Sequence, residues 1–504
     1  MSLGRRRFLR GTAGLAASAL VLAACGDGDS SSGGTRTLRV GIPTDVNPAN
    51  LLGVLSANEP VGRLVLEGLV DYDAAQGKHV PWLATKWSFG ADQRSLTLDL
   101  RDDVTFHGGR KFTAKDVVYS VQAAKAPDSG AQAGSLLALA TNVSADGDTR
   151  VTFTFDKPVG ESFLDALVWT RIVDEPSFAD LKSGKKVVGT GPYVWTKWTP
   201  GSSVELDKNT AYWQAGKPTV DKVTLRVIGQ SQAMLAALRS GQIDVAHRMV
   251  PRDVQTVASD KSLRVDVFDP FAETYLGVDV TVKPFTDKRA RQALAWALDR
   301  DRIAQQVFAG YAEATDFPFP TSVPGLAEQS EQYRYDVQRA KTLLAEAGGA
   351  GATVTIAALS TDPILVAVRD IVQFNLTEIG LTVKPVSWDA AQVPKALGSG
   401  TTGGLWINRV SSGSLSPASM AATLLPYRPS KNASNVTDPA YAQLAAAAEA
   451  GTAEANQALA KYVVDEAWHL TVVRTKNPLV VKSGVGQVRL DTNGYLDLAA
   501  ATVA

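Results

Sequence analysis

The sequence predicts an α/β protein built of mixed β-sheets flanked by helices, and three stretches carry that expectation. In the first, Leu96, Leu98 and Leu100 alternate with polar residues, as on a half-buried strand, and residues 103–106 prolong it. His107-Gly108-Gly109 then turns the chain. Thr113 and Asp116 have the spacing of a capping box, and Val117, Val118 and Val121 give a helix at 114–124 its apolar face. The second stretch is a β-α-β unit of strand 353–359, helix 363–379 ending at Gly380, and strand 381–386, for which parallel pairing and a right-handed crossover are expected. The third is a hairpin, VWTKW and SVELDKN, joined through Pro200-Gly201.

Taken from its start, the chain opens on an export address. Arg5-Arg6-Arg7-Phe8-Leu9-Arg10 has the twin-arginine pattern, and the apolar run from Gly11 to Ala24, 14 residues, is shorter than the roughly 20 that span a bilayer. Leu22-Ala23-Ala24-Cys25 has the form of a bacterial lipobox, which makes residues 1–24 a signal peptide and Cys25 a diacylated N-terminus. The alternative is an unmodified cysteine in an uncleaved tail. Cys25 is the only cysteine of the chain, so a disulfide framework is excluded. Residues 25–36, rich in Gly, Ser and Asp, read as a tether too polar to pack. Because two acyl chains anchor stably, the tether would hold an exported body at the outer face of the cell membrane.

The 504 residues carry 51 basic and 51 acidic side chains; without Arg5, Arg6, Arg7 and Arg10 of the leader the balance is 47 against 51, a net of −4. No basic footprint for nucleic acid remains. The length allows about three domains.

Residues 37–42 form the first strand, followed by a loop at its carboxyl end. Ligands gather outside strand C-termini in open α/β sheets, so Asp45 in this loop is a cleft candidate; a solvated loop acid is the alternative. Val61, Leu64, Val65, Gly68 and Leu69 mark a short helix, and a strand lies at 151–156. Gly189-Thr190-Gly191-Pro192-Tyr193 leads into the hairpin, so no helix follows these glycines to cradle a phosphate. Residues 220–228 alternate as a strand, and Ser231 reads as the N-cap of a helix closed by Gly241. Between 286 and 308, Ala293, Leu294, Ala297 and Leu298 share a face. Asp336 caps a helix stopped at Gly348, and further helices are expected near 438–450 and 453–468 before a strand returns after Leu470.

Five of these stretches together resemble the family 5 extracellular solute-binding proteins, the oligopeptide-, dipeptide- and nickel-binding receptors of ABC importers. They are SLTLDLRDDVTFHGGRKFTAKDVVYS behind Trp87, GTGPY at 189–193, NTAYW at 209–213, the L-x-x-G-x-I-D ending at Asp244, and RQALAWALDR ending at Arg300. The resemblance runs from about residue 37 to 504. It implies a two-lobe periplasmic-binding-protein-like clamp: lobe I at 37–270, enlarged by an extra subdomain at about 55–188, lobe II at 271–472, and a return to lobe I at 473–504. Chain crossings near 268–273 and 470–480 would act as a hinge. The implied partners are a small-molecule or peptide ligand and ABC permease subunits, with the protein a monomer.

In peptide-binding relatives an aspartate just after a tryptophan pairs with the ligand's α-ammonium. Here Trp406-Ile407-Asn408-Arg409 places arginine in that slot, and no Asp or Glu occurs anywhere in 390–437, where Lys395, Arg409, Arg428 and Lys431 stand instead. A guanidinium grips a carboxylate and repels an ammonium. Arg409 is thus expected either to hold an anionic group of the ligand or to pair internally. Trp388, Trp406 and Trp169 are candidate walls, and Asp45, Trp388, Trp406, Asn408 and Arg409 make up the expected binding set.

An enzyme would need clustered acids, bases or metal ligands. His79, His107, His247 and His469 lie far apart in sequence with no H-x-x-x-H pair, and the His-Gly-Gly turn lacks a G-x-S-x-G elbow to serve as an oxyanion loop. No cofactor, no metal and no catalysis are expected. A lipid-anchored receptor for a peptide or peptide-like solute leads; a sensory or scaffold lipoprotein on the same fold, and a secreted hydrolase, are the alternatives.

Overall fold

Two long strands, Leu263–Val278 and His469–Lys482, run antiparallel through the protein, from Leu263 opposite Lys482 to Gly277 opposite His469. Their ladder slips between Phe268 and Ala272, a bulge with its extra residues on Leu263–Val278. This structure is a computed structural model describing residues 35–53, 57–257, 259–323, 325–326, 332–413 and 415–503; the leader and Cys25 lie outside the described residues. On one side of the bulge the pair carries Val245–Ala246, Thr37–Ile42, Lys222–Val227, Ser203–Lys208 and Tyr193–Thr199, in that order. Beyond it, on the other flank, come Leu405–Ser411, Thr353–Leu359 and Thr382–Trp388. Two mixed sheets thus share one strand pair, and helices cover them, giving a two-lobe α/β fold.

Lobe I bears a separate four-stranded antiparallel sheet, ordered Ala84–Phe89, Ser95–Leu100, Arg150–Phe155 and Ala140–Asp146. The strict alternation of Leu96, Leu98 and Leu100 puts all three inside, at 5% exposure or less. Helix Ala114–Lys125 starts on the anticipated box, in which the main-chain N–H of Thr113 donates to the Asp116 carboxylate at 2.8 Å. Val117 and Val121 point inward from it. The apolar core of this subdomain is continuous with that of lobe II, whereas the large sheet of lobe I has its own.

Strands Thr353–Leu359 and Thr382–Trp388 pair in parallel about helix Pro363–Glu378, which Asp362 caps by accepting from the N–H groups of Ile364 and Leu365. Two helix boundaries differ from expectation. The apolar face at 286–308 belongs to two helices, Lys288–Ala297 and Arg300–Gln306, because Leu298 is extended and Asp299 caps the second by accepting from Arg302 N–H. Ser231 is the first helical residue of Ser231–Arg239 rather than its cap, and its hydroxyl accepts from Val250 N–H.

Candidate ligand-binding site

Strand direction decides which edge of lobe I faces lobe II. Both Val245–Ala246 and Leu263–Val278 run antiparallel to His469–Lys482, so they point the same way, and Thr37–Ile42 and Lys222–Val227 are parallel to them. Leu263–Val278 continues into lobe II; the carboxyl ends of the other three strands therefore face it, where ligands of α/β sheets collect. Arg248 sits on this rim with a left-handed backbone, φ +59°. Its Nη2 lies 2.8 and 2.6 Å from the two carboxylate oxygens of Glu59, a residue 1% exposed, while the arginine side chain keeps a third of its surface in solvent. Burial pushes the Glu59 carboxyl up to about 7, with Arg248 opposing the rise and Asp491 adding to it. His247 beside it is buried and held down at about 3, chiefly by burial.

Behind this pair, Asp491 accepts from Arg63 at 3.2 Å, and Arg63 also grips Asp71 at 2.5 and 3.1 Å. Arg171 stacks over the ring of Tyr495 at 4.2 Å. Asp491 Oδ1 takes the N–H of Asn493 at 2.9 Å, and Asn493 reaches the seam with lobe II. There Gly413, at φ +53°, is wedged so tightly that a Cβ would lie 2.0 Å from Asn493 Oδ1 and 2.9 Å from the Trp169 ring. Three separate stretches of chain meet at that glycine. The indole N–H of Trp169 and the hydroxyl of Thr492 are buried there without a hydrogen-bond partner among the described residues.

A second set of bonds closes the seam further along. The Asp165 carboxylate, 2% exposed, accepts from the N–H and hydroxyl of Ser416 at 2.9 and 3.0 Å and contacts His79 Nε2 at 3.0 Å. Ser419 donates to the carbonyl of Ser162 at 3.0 Å, Ser162 to that of Glu449 at 2.8 Å, and Lys157 pairs with the Glu449 carboxylate at 2.6 Å. The segment 390–437 has no acid of its own, and the subdomain brings one to it.

The residues expected from sequence are dispersed. Asp45 is at the carboxyl end of its strand, but its carboxylate accepts from Trp198 Nε1 at 3.1 Å and Gly201 N–H at 2.6 Å, which ties the loop to the hairpin. Trp406 is wholly buried opposite Gly277, where a Cβ would come 2.1 Å from the indole. Trp388 packs in the same apolar cluster, beside Tyr275 and Leu397. Asn408 is half-buried next to the Tyr275 hydroxyl, and Arg409 is paired with Asp362. Of the expected aromatic walls, Trp169 is the one at the seam. Glu59, Arg248, Asp165, Asn493 and Gly413 were not singled out by sequence, since no spacing links positions so far apart. Among the described residues no group of three or more His, Cys, Asp or Glu could hold a metal ion, and no helix is long and apolar enough to cross a membrane.

Two lobes sharing a bulged strand pair, with charged and aromatic side chains facing across the seam, define a solute-binding class of protein. The family model for bacterial extracellular solute-binding proteins, family 5 (middle), matches residues 78–433, and the chain belongs to that family. It is 27% identical over 342 residues to the glutathione-binding protein GsiB of Pectobacterium atrosepticum, a match covering 67% of this chain and 66% of that protein. The chain thus spans about two thirds of the length of the curated relatives it matches. Among solved structures, NikA of Brucella suis in complex with Fe(III)-EDTA superposes with a TM-score of 0.82 at 21% identity, over 93% of this chain and 100% of that one. The ABC transporter-associated periplasmic binding protein DppA of Helicobacter pylori, in complex with the peptide STSA, superposes at 0.75 with 24% identity, over 91% and 96%.

Proposed function

We propose that this protein is a substrate-binding lipoprotein of an ABC transporter that captures a peptide or peptide-like solute between its lobes and delivers it, chemically unaltered, to membrane permease subunits. The observation that carries this reading is the bulged strand pair, a shared axis on which two lobes can close by modest backbone changes. Family membership, the glutathione of GsiB and the peptide held by DppA support the solute class. On this reading residues 1–24 are a signal peptide, 25–36 a tether, and Cys25 the lipidated residue that keeps the exported monomer at the outer face of the cell membrane. Lobe I spans 37–270 with its subdomain at about 55–188, lobe II 271–472, and 473–504 return to lobe I. The solute lies at the seam near Trp169 and 408–416, with Trp388 and Trp406 backing the lobe II wall, while Asp45 braces its loop and Arg409, on its strand, pairs with Asp362.

A thermal-shift screen of the purified protein against peptides, modified peptides, sugars and metal ions tests this. The melting temperature should rise with peptide concentration by mass action. A shift with sugars or metals alone, or turnover of any peptide, would overturn the reading. Cys25→Ala should release the protein from the membrane fraction.

A further inference from the structure

The pair at the rim of lobe I has a composition that serves a ligand better than it serves the fold. Glu59 is almost wholly buried, Arg248 is one-third exposed, and the guanidinium reaches the carboxylate from the seam-facing edge of the sheet. A buried ion pair contributes little net stability, because desolvation of both charges offsets their attraction. The backbone of Arg248 is also left-handed, a conformation costly for a side chain of this size and one that marks functional positions.

The geometry points to Glu59–Arg248 as an exchangeable anchor: a carboxylate of the solute takes the guanidinium of Arg248 in the place that the Glu59 carboxylate now occupies. This rests on the solute-binding reading above and names the chemistry that the site selects. The chemical class follows from the occupant the chain itself presents, a carboxylate with both oxygens within 2.8 Å of Nη2.

The charged groups facing Glu59 are Arg248 and Asp491, and the Tyr495 hydroxyl lies within their field. Asp491 is itself held by Arg63. When Arg248 turns to the solute, Asp491 is the charged group left facing Glu59 among the described residues, and Glu59 takes a proton from solvent, so it does not stay as an unpaired charge. Burial has already raised its carboxyl to about 7, which brings that proton within reach at neutral pH.

The test is a thermal-shift and calorimetric series on the purified protein with tripeptides, the same tripeptides as C-terminal amides, and non-peptide dicarboxylic acids, repeated for Arg248→Gln, Arg248→Lys and Glu59→Gln. Melting curves without solute establish that each variant folds, and Arg248→Lys keeps the charge should Arg248→Gln fail to fold. Free carboxylates should bind the parent at least tenfold more tightly than amides, and Arg248→Gln should erase that preference. Glu59→Gln should retain binding while losing the proton uptake seen as a buffer-dependent heat. If dicarboxylic acids bind through Arg248 and peptides do not, the anchor stands and the peptide reading falls. If amides bind as well as free acids, or Arg248 variants bind carboxylates within twofold of the parent, the anchor falls and the peptide reading stands. Binding of neither class overturns both.

Discussion

The imidazole of His107 spans the ends of Gly189-Thr190-Gly191: Gly189 N–H donates to its Nδ1 at 3.3 Å, and its Nε2–H donates to the Gly191 carbonyl at 3.0 Å. The two glycine motifs that stand out in the sequence are therefore one structural unit, and the histidine in the first is a brace. Gly189 and Gly191 lie against the backbone of the helix Gly62–Val65, where added Cβ atoms would come 1.9 Å from Val65 O and 2.6 Å from Leu64 O.

That contact makes the first prediction. Gly189→Ala should cost more than about 3 kcal/mol, because backbone rather than a flexible side chain blocks the methyl group. Gly108→Ala, in the same unit but with nothing within 4 Å of its Cβ, should melt within a few degrees of the parent. Equal melting temperatures for the two variants would contradict the packing described.

The protonation of His107 gives a second. Burial lowers its pKa to about 4, against an ordinary value of about 6.5 in the unfolded chain. The unfolded state then binds more protons than the folded one between these limits, so stability rises with pH across that window. The brace is fully effective above pH 6.5 and is lost as pH falls through 4, with buried His247 acting in the same direction down to about 3. Because the Glu59 carboxyl, raised to about 7, contributes the opposite slope over this window, the His107 part is read as the stability difference between the parent and His107→Gln in urea unfolding, which should grow from pH 4 to pH 7.

Much of the fold was legible because period and punctuation agree locally. Leu96, Leu98 and Leu100 alternate inside one sheet, Thr113 and Asp116 close a helix start, and Asp362 caps the helix of the β-α-β unit. The split at Leu298 was not, since the apolar face continues through it while Asp299 begins a new helix. The seam was legible only at Trp169. Gly413 meets Asn493 across 80 positions, Arg248 meets Glu59 across 189, and Asp165 meets Ser416 across 251, so no local pattern encodes these contacts. For Arg409 the sequence left two outcomes open, an anion of the ligand or an internal partner, and it could not show that Asp362, 47 positions away, stands beside it.

A third prediction concerns that pair. The side chain of Arg409 is 39% exposed and its partner already caps a helix. Exposed pairs contribute about 0–1 kcal/mol. Arg409→Ala should leave solute affinity within twofold of the parent by calorimetry and shift the melting temperature by no more than a few degrees. A tenfold loss of affinity would restore Arg409 to the binding set.

The fourth prediction follows from Asp165. Its carboxylate belongs to the subdomain, yet it accepts the main-chain N–H and the hydroxyl of Ser416, whose hydroxyl in turn accepts from Ser419 N–H at the start of helix Pro417–Thr423. The acid thereby fixes the end of segment 408–416 to the opposite side of the seam. Asp165→Ala removes the acceptor and leaves the buried Ser416 N–H unsatisfied, at a cost of about 1–3 kcal/mol, while the Ser416 hydroxyl keeps Ser419 Oγ at 3.1 Å. That N–H regains water if the seam opens, so the substitution should weigh on the closed arrangement more than on the fold. Solute dissociation should quicken at least tenfold while the melting temperature without solute falls by only a few degrees, and Ser416→Ala should reproduce a smaller part of the effect. Unchanged dissociation in Asp165→Ala would mean that Asp165 and Ser416 support the fold without holding the lobes around a guest.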